Sequence, residues 1–195
     1  MGFDAILSTT HKNFPGPQRA IYCTKKDDDM WKKLYSKIGT YVSNMHTYSI
    51  YTLGLMLENI EEYKKLSYNM LANTKLLRKE LRNHGLSVYE QQPISVNELI
   101  THHIWITCKD KIHAFELYKK LEYCGFLTNY RLLPYNLGYG IRMGLSAATV
   151  SGLILDDISE LANLLAQIYF NNCNKEIQYQ SRKFINKIKE RTHAK

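Results

Sequence analysis

Short apolar runs open the chain. Residues 3–10 (FDAILSTT) read as a short buried strand and 20–24 (AIYCT) as another short strand, separated by HKNFPGPQ, a loop built on Pro15, Gly16 and Pro17. In 27–38 acids precede bases, which predicts a helix whose charges complement its dipole. The stretch 39–49 (GTYVSNMHTYS) predicts irregular backbone, and from Ile50 to His84 the spacing is helical. Over 50–60 the helix is apolar on most sides (Ile50, Leu53, Leu55, Met56, Leu57, Ile60), which predicts burial. Over 61–83 the stripe narrows to Leu66, Met70, Leu77 and Leu81, and Gly85 supplies a stop.

The texture then shortens. Strands are expected at 86–90 and 102–108, with 91–100 as a loop between them. Residues 111–124 form an amphipathic helix carrying Phe115, Tyr118 and Leu121, stopped by Gly125. Extended backbone follows at 126–134, then a short strand, Ile141 to Met143, between glycines. A helix over 155–170 has Asp156 and Asp157 in its first turn. A last, basic helix over 175–191 lines up Ile177, Phe184, Ile185 and Ile188. This order predicts an α/β chain in three parts: the edge of a large-domain sheet (1–50), connecting helices (51–84) and a small α+β domain (85–195). The opening strand needs neighbours on both edges, and only one strand follows closely.

Composition narrows the classes. With 195 residues, 45% hydrophobic and 23% charged, the chain reads as globular. It has no apolar run long enough to span a membrane, and no basic-then-apolar leader is expected at its start. The net charge of +8 is uneven: residues 174–195 hold seven Lys/Arg and two Glu. A nucleic-acid role for that basic segment ranks last, because its apolar side suggests packing and its charged side solvation. Cys23, Cys108, Cys124 and Cys173 form no CxxC pair, and adjacent His102 and His103 point to opposite faces of a strand. No metal site is expected, and the reading is of reduced thiols in a cytoplasmic protein.

Two short segments carry candidate chemistry. In Thr9-Thr10-His11-Lys12 a lysine follows a strand, where α/β proteins place ligand loops and where an amine can form a Schiff base. Taken alone, Lys12 reads better as a solvated loop residue. In Gly140-Ile141-Arg142-Met143-Gly144 an arginine sits on a short strand between apolar neighbours. Its fork suits a bound carboxylate, while its pattern by itself favours an internal salt bridge.

Together the segments resemble one family. TTHKNFPGPQR is similar to the segment around the cofactor lysine of serine hydroxymethyltransferase, and GIRMGLSAAT to the same family's GIR-x-G-x-x-A-x-T. The wording FPGPQ and LPYNLGYGIRMG looks closer to the serine-hydroxymethyltransferase-like threonine aldolases and transaldolases than to the folate enzyme. The resemblance runs to about residue 170 and implies part of a fold-type I pyridoxal 5'-phosphate (PLP) enzyme. It implies Lys12 as the Schiff-base lysine, His11 as its neighbouring proton-moving histidine, and Thr9 and Thr10 as residues beside the cofactor. It also implies Arg142 as the arginine for the substrate carboxylate.

In the family a glycine-rich loop of a neighbouring subunit contacts the cofactor phosphate. Here that region lacks the glycines, and Ser43, Asn44, His46 and Thr47 are the candidate donors. The family's arginine shortly after Gly-Pro is Gln18, with Arg19 next. Only eleven residues precede Lys12, whereas the family's ring-stacking residue and the Asp that pairs the pyridine nitrogen lie further upstream. The resulting expectation is a C-terminal subunit of a split enzyme, acting on a β-hydroxy amino acid or glycine. A separate N-terminal-half polypeptide would complete it, in a hetero-oligomer with two of each chain. The alternative is a non-catalytic scaffold subunit that keeps the fold.

Overall fold

The computed structural model describes residues 4–14, 16–25, 29–42, 44, 46–90, 101–171 and 173–193. The chain divides into two compact units, Met1–Lys65 and Leu66–Lys195. The expected loop at 91–100 lies outside the described residues.

In the first unit, β1 (Ala5–Thr9) pairs antiparallel with β2 (Ala20–Thr24), Thr9 opposite Ala20 and Ala5 opposite Thr24. Two helices follow, α1 (Asp29–Tyr41) and α2 (Thr47–Glu58), so the stretch expected to be irregular contributes to both. The uninterrupted helix expected from Ile50 breaks at Asn59, and α3 (Ile60–Asn83) then runs on into the second unit. The expected burial of 50–60 is not found: α2 buries no residue, and Ile50, Leu55 and Leu57 are exposed. Among the described residues of this unit only Thr10 is buried. Two strands and short helices offer too little surface to cover the apolar positions that the sequence supplies.

The second unit has its own core. Strands β3 (His103–Thr107), β4 (Asn129–Leu132) and β5 (Tyr139–Gly144) form an antiparallel sheet in the order β3-β5-β4. Alternation sends Ile104, Ile106, Ile141 and Met143 to one face, where they are buried against α4 (Lys111–Tyr123) and α6 (Ile158–Phe170). Leu77 and Leu81 of α3 join that core, and α7 (Lys175–His193) adds Ile177, Phe184 and Ile188. Residues 86–90 supply only a single bridge, Val88 to Ile106. A short helix, α5 (Ser146–Val150), follows β5 where none was expected.

Local chemistry fixes the element ends. Asp110 caps α4, its carboxylate accepting from the His113 N–H at 2.8 Å. Gly85 and Gly125 follow α3 and α4 with φ of 84° and 89°, as their positions after the last turn demand. Helix α4 faces the sheet through Ala114, Leu117 and Leu121 rather than through the expected Phe115, which is exposed and meets Tyr130 edge-on. Packing of α4 on α6 brings their ends together, and Cys124 and Cys173 are joined as a disulfide. This corrects the expectation of four reduced thiols. Cys23 and Cys108 are free, and burial beside Asp110 raises the Cys108 thiol to about 11.

Helix α7 is tied down by charge as well as by apolar contact. The buried Asp157 accepts from both arms of Arg191, meets Lys187 at 3.2 Å and accepts from the Ile154 N–H at 3.2 Å. Burial opposes its ionisation, but the Arg191, Ile154 and Lys187 hydrogen bonds hold its carboxyl below the usual range. Leu77→Ala is expected to cost about 2–5 kcal/mol of stability in urea unfolding, because it empties a fully buried site. Asp157→Asn is expected to accelerate amide exchange in α7 while leaving the sheet protected; uniform acceleration across the second unit would contradict a local tie.

Candidate functional site

The turn between β1 and β2 is held by hydrogen bonds rather than by apolar packing. The Thr10 N–H donates to the Arg19 carbonyl at 2.9 Å, and its hydroxyl reaches the carbonyls of Pro17 (2.5 Å) and Arg19 (3.0 Å). The Gly16 N–H closes back on the Thr10 carbonyl at 2.7 Å. A Cβ at Gly16 would stand 2.7 Å from that same oxygen, so the turn depends on glycine there. His11 and Lys12 are exposed on this frame, with His11 Nδ1 3.4 Å from the Arg19 carbonyl. Thr9 is half-buried at the strand end, and the Thr10 hydroxyl is committed to the turn.

A cavity of about 420 Å³ lies within the same unit, lined in part by Arg19, Asn44, His46 and Ser49. His46 has a left-handed backbone (φ 47°), and its N–H donates to Asn44 Oδ1 at 2.8 Å, setting the entry to α2. Thr47 begins α2 and is exposed; Ser43 lies outside the described residues. Lys12 does not line this cavity.

In the second unit Arg142 occupies the central strand. The register sets Trp105 on one side of it and Asn129 on the other. Arg142 is half-buried, and its Nη2 donates to Asn129 Oδ1 at 3.1 Å. Among the described residues it has no carboxylate partner, so the internal salt bridge that its pattern favours is not found there. The close approach of β5 to β3 rests on Gly140, where a Cβ would lie 2.4 Å from the Ile106 carbonyl and 2.7 Å from Leu133 Cδ1.

Further groups around Arg142 were not among the candidate site residues. The His102 and His103 rings, expected on opposite faces of a strand, instead lie close and tilted, with centroids 3.9 Å apart beside Gly144, because His102 precedes β3. Arg78 of α3 donates to the carbonyls of His103 and Thr101. Tyr89, Trp105 and Tyr135 stack on one another with centroids 5.5–6.1 Å apart. Trp105 Nε1 and Arg78 Nε are buried without a hydrogen-bond partner. The usable signal was strand alternation, which sets Asn129 and Arg131 on the Arg142 face once the β4–β5 register is known.

Burial, then the charges of His102, Arg142, Arg78 and Arg131, push the His103 imidazole down to about 4. Burial and Arg142 lower His102 as well.

The fold defines a class: an α/β chain holding part of the fold-type I architecture. It fits the C-terminal half of a serine hydroxymethyltransferase-like fold. The chain is 28% identical over 174 residues to serine hydroxymethyltransferase of Thermoplasma acidophilum, covering 85% of this chain and 40% of that protein. It is 30% identical over 183 residues to that of Pyrococcus horikoshii, with 86% and 41% covered. Among solved structures, L-threonine transaldolase from Pseudomonas fluorescens in its internal aldimine state superposes with a TM-score of 0.79 at 23% identity. It covers 94% of this chain and 42% of that one. The chain thus spans about two fifths of the length of the relatives it matches. No protein-family profile matches it.

The lowered His103 sets a pH dependence. Between about 4 and 6.5 the unfolded chain binds a proton that the folded chain does not, so stability rises with pH across that window and is lost on acidification. In His103→Gln this part of the slope is expected to vanish, which thermal midpoints measured from pH 4 to 7 will show. Parallel curves for the variant and the parent would contradict it.

Proposed function

We propose that this chain is the C-terminal half-subunit of a pyridoxal-phosphate-dependent, serine hydroxymethyltransferase-like enzyme. Its reaction is aldol-type cleavage of the Cα–Cβ bond of a β-hydroxy amino acid, or transfer that forms such a bond on glycine. It works with a separate N-terminal-half polypeptide, two copies of each. The observation that carries this reading is Arg142, whose guanidinium is held by the neutral amide of Asn129. An arginine kept for internal structure is ordinarily met by an acid. One that is oriented but not neutralised suits the carboxylate of an amino acid.

The donor set fits the cofactor at two ends. Lys12 offers an exposed amine on a turn fixed by Thr10 and Gly16, suited to a carbonyl. Arg19, Asn44 and His46 line one cavity and, with Thr47 at the start of α2, offer donors suited to a phosphate. Lys12 lies outside that cavity, which accords with a phosphate belonging to a neighbouring subunit's cofactor. The need for a partner surface is supported by the exposed Ile6, Leu7, Ile21, Ile50, Leu55 and Leu57 of the first unit, apolar positions that the described residues leave uncovered.

When bound, pyridoxal phosphate supplies an electron sink for the bond broken at Cα. Arg142 grips the substrate carboxylate and so fixes which Cα bond is presented for reaction. The Lys12 amine moves a proton at Cα, and His11 moves one at the β-hydroxyl.

The test is co-expression with a polypeptide carrying the N-terminal half of the fold, followed by purification of the complex. A yellow complex is expected, with borohydride fixing the cofactor's mass on Lys12 and Lys12→Ala colourless. Arg142→Gln is expected to keep the colour but to weaken glycine binding about 100-fold, the loss of roughly 3 kcal/mol of charge-assisted hydrogen bonding. A stable but colourless complex would overturn the enzymatic reading and leave the scaffold role.

A further inference from the structure

The face of the sheet that carries Arg142 holds more positive charge than one substrate carboxylate answers. Strand alternation and the β3-β5-β4 register put Trp105, Arg142 and Asn129 in one row. Arg131, two residues beyond Asn129 on β4, returns to the same face opposite Gly140. Arg131 is thus a diagonal neighbour of Arg142, a spacing of about 7–8 Å. Arg78 approaches from α3, its guanidinium spent on the carbonyls of Thr101 and His103. Among the described residues, no carboxylate pairs with Arg78, Arg131 or Arg142. The contrast with the rest of the unit is plain: Arg191 meets the buried Asp157, and Arg82 meets Glu90 at 3.0 Å. Glycine uses the charge of Arg142 alone and leaves Arg131, exposed and uncompensated, beside it.

We propose that Arg131 is a specificity-determining residue that binds a second anionic group, so that the preferred substrate is an amino acid whose side chain ends in a carboxylate or phosphate. This rests on the reading of Arg142 as the carboxylate arginine. Two arginines on diagonal positions of one sheet face suit a short-chain dianion, one end on Arg142 and the other on Arg131. His103 is kept neutral by its surroundings near pH 7, so the anion meets guanidinium charge there and not imidazolium. Tyr89 stacks on Trp105 and on Tyr135 at the end of the row, and the indole of Trp105 is a built-in reporter because it sits directly across from Arg142.

The experiment uses the full chain in a Trp31→Phe background, which leaves Trp105 as the sole tryptophan. Indole fluorescence is followed on titration with acetate and with glutarate at constant ionic strength. Glutarate is expected to bind at least tenfold more tightly than acetate. Arg131→Gln should bring glutarate to within about twofold of acetate while leaving acetate unchanged, and Arg131→Lys should restore part of the difference. An unchanged thermal midpoint excludes misfolding as the cause. If glutarate and acetate bind alike, or if Arg131→Gln leaves their ratio intact, the inference is overturned while the Arg142 reading stands. If Arg142→Gln leaves acetate binding untouched, both fall.

Discussion

Burial of apolar surface divides this chain into a part that stands by itself and a part that does not. In the second unit Leu77, Leu81, Ile104, Ile106, Ile141, Ile158 and Ile168 are sealed from solvent, and Arg142 is presented by the strand at the centre of that packing. In the first unit the only buried residue among those described is a threonine, and it is held by hydrogen bonds to a turn. Hydrogen bonds exchanged with water contribute about 1 kcal/mol each, while burial of a large aliphatic side chain contributes about 1.5–3 kcal/mol. The Lys12 turn therefore has defined local geometry but little apolar burial of its own to hold it. Its strands and α2 present Leu7, Ile21, Ile50 and Leu57 to the outside, the surface expected of an element made to be covered.

That asymmetry explains which features were legible in the sequence. Both hairpin strands, the stop glycines Gly85 and Gly125 and the stripe Met70, Leu77 and Leu81 depend on local chemistry or on packing inside the chain. The burial expected of residues 50–60 was inferred from composition, and composition records the need for a cover without saying whether the same chain provides it. The Cys124–Cys173 link escaped because pairing over 49 residues depends on how α4 and α6 pack, not on spacing. Phe115 misled for a related reason: an aromatic residue can rest against Tyr118 and Tyr130 at the rim while smaller Ala114 and Leu117 face the sheet. Of the candidate site, the Lys12 turn and Arg142 were legible from motif, whereas Arg78, Arg131 and His103 join Arg142 only through the fold.

The sheet itself sorts chemistry by face. A period of two sends the aliphatic residues of β3 and β5 to the helices and leaves His103, Trp105 and Arg142 on the other side. Burial depresses His103 first, and the cations concentrated on that face depress it further, a cost that folding alone does not require. A counter-charge arriving from outside the fold would relieve that cost, which accords with the substrate carboxylate proposed for Arg142.

The two kinds of arginine in this unit make the distinction concrete. Arg191 meets a buried aspartate through both arms, and removing either partner strands a charge; its task is to hold α7. Arg142 meets the oxygen of Asn129, which orients one arm and withdraws no charge. An aspartate at 129 would make a stronger pair and a poorer site, since an incoming carboxylate would then have to displace a like charge already seated there. The neutral amide keeps the guanidinium both placed and available, which supports the binding role proposed for Arg142 on physical grounds independent of any sequence motif.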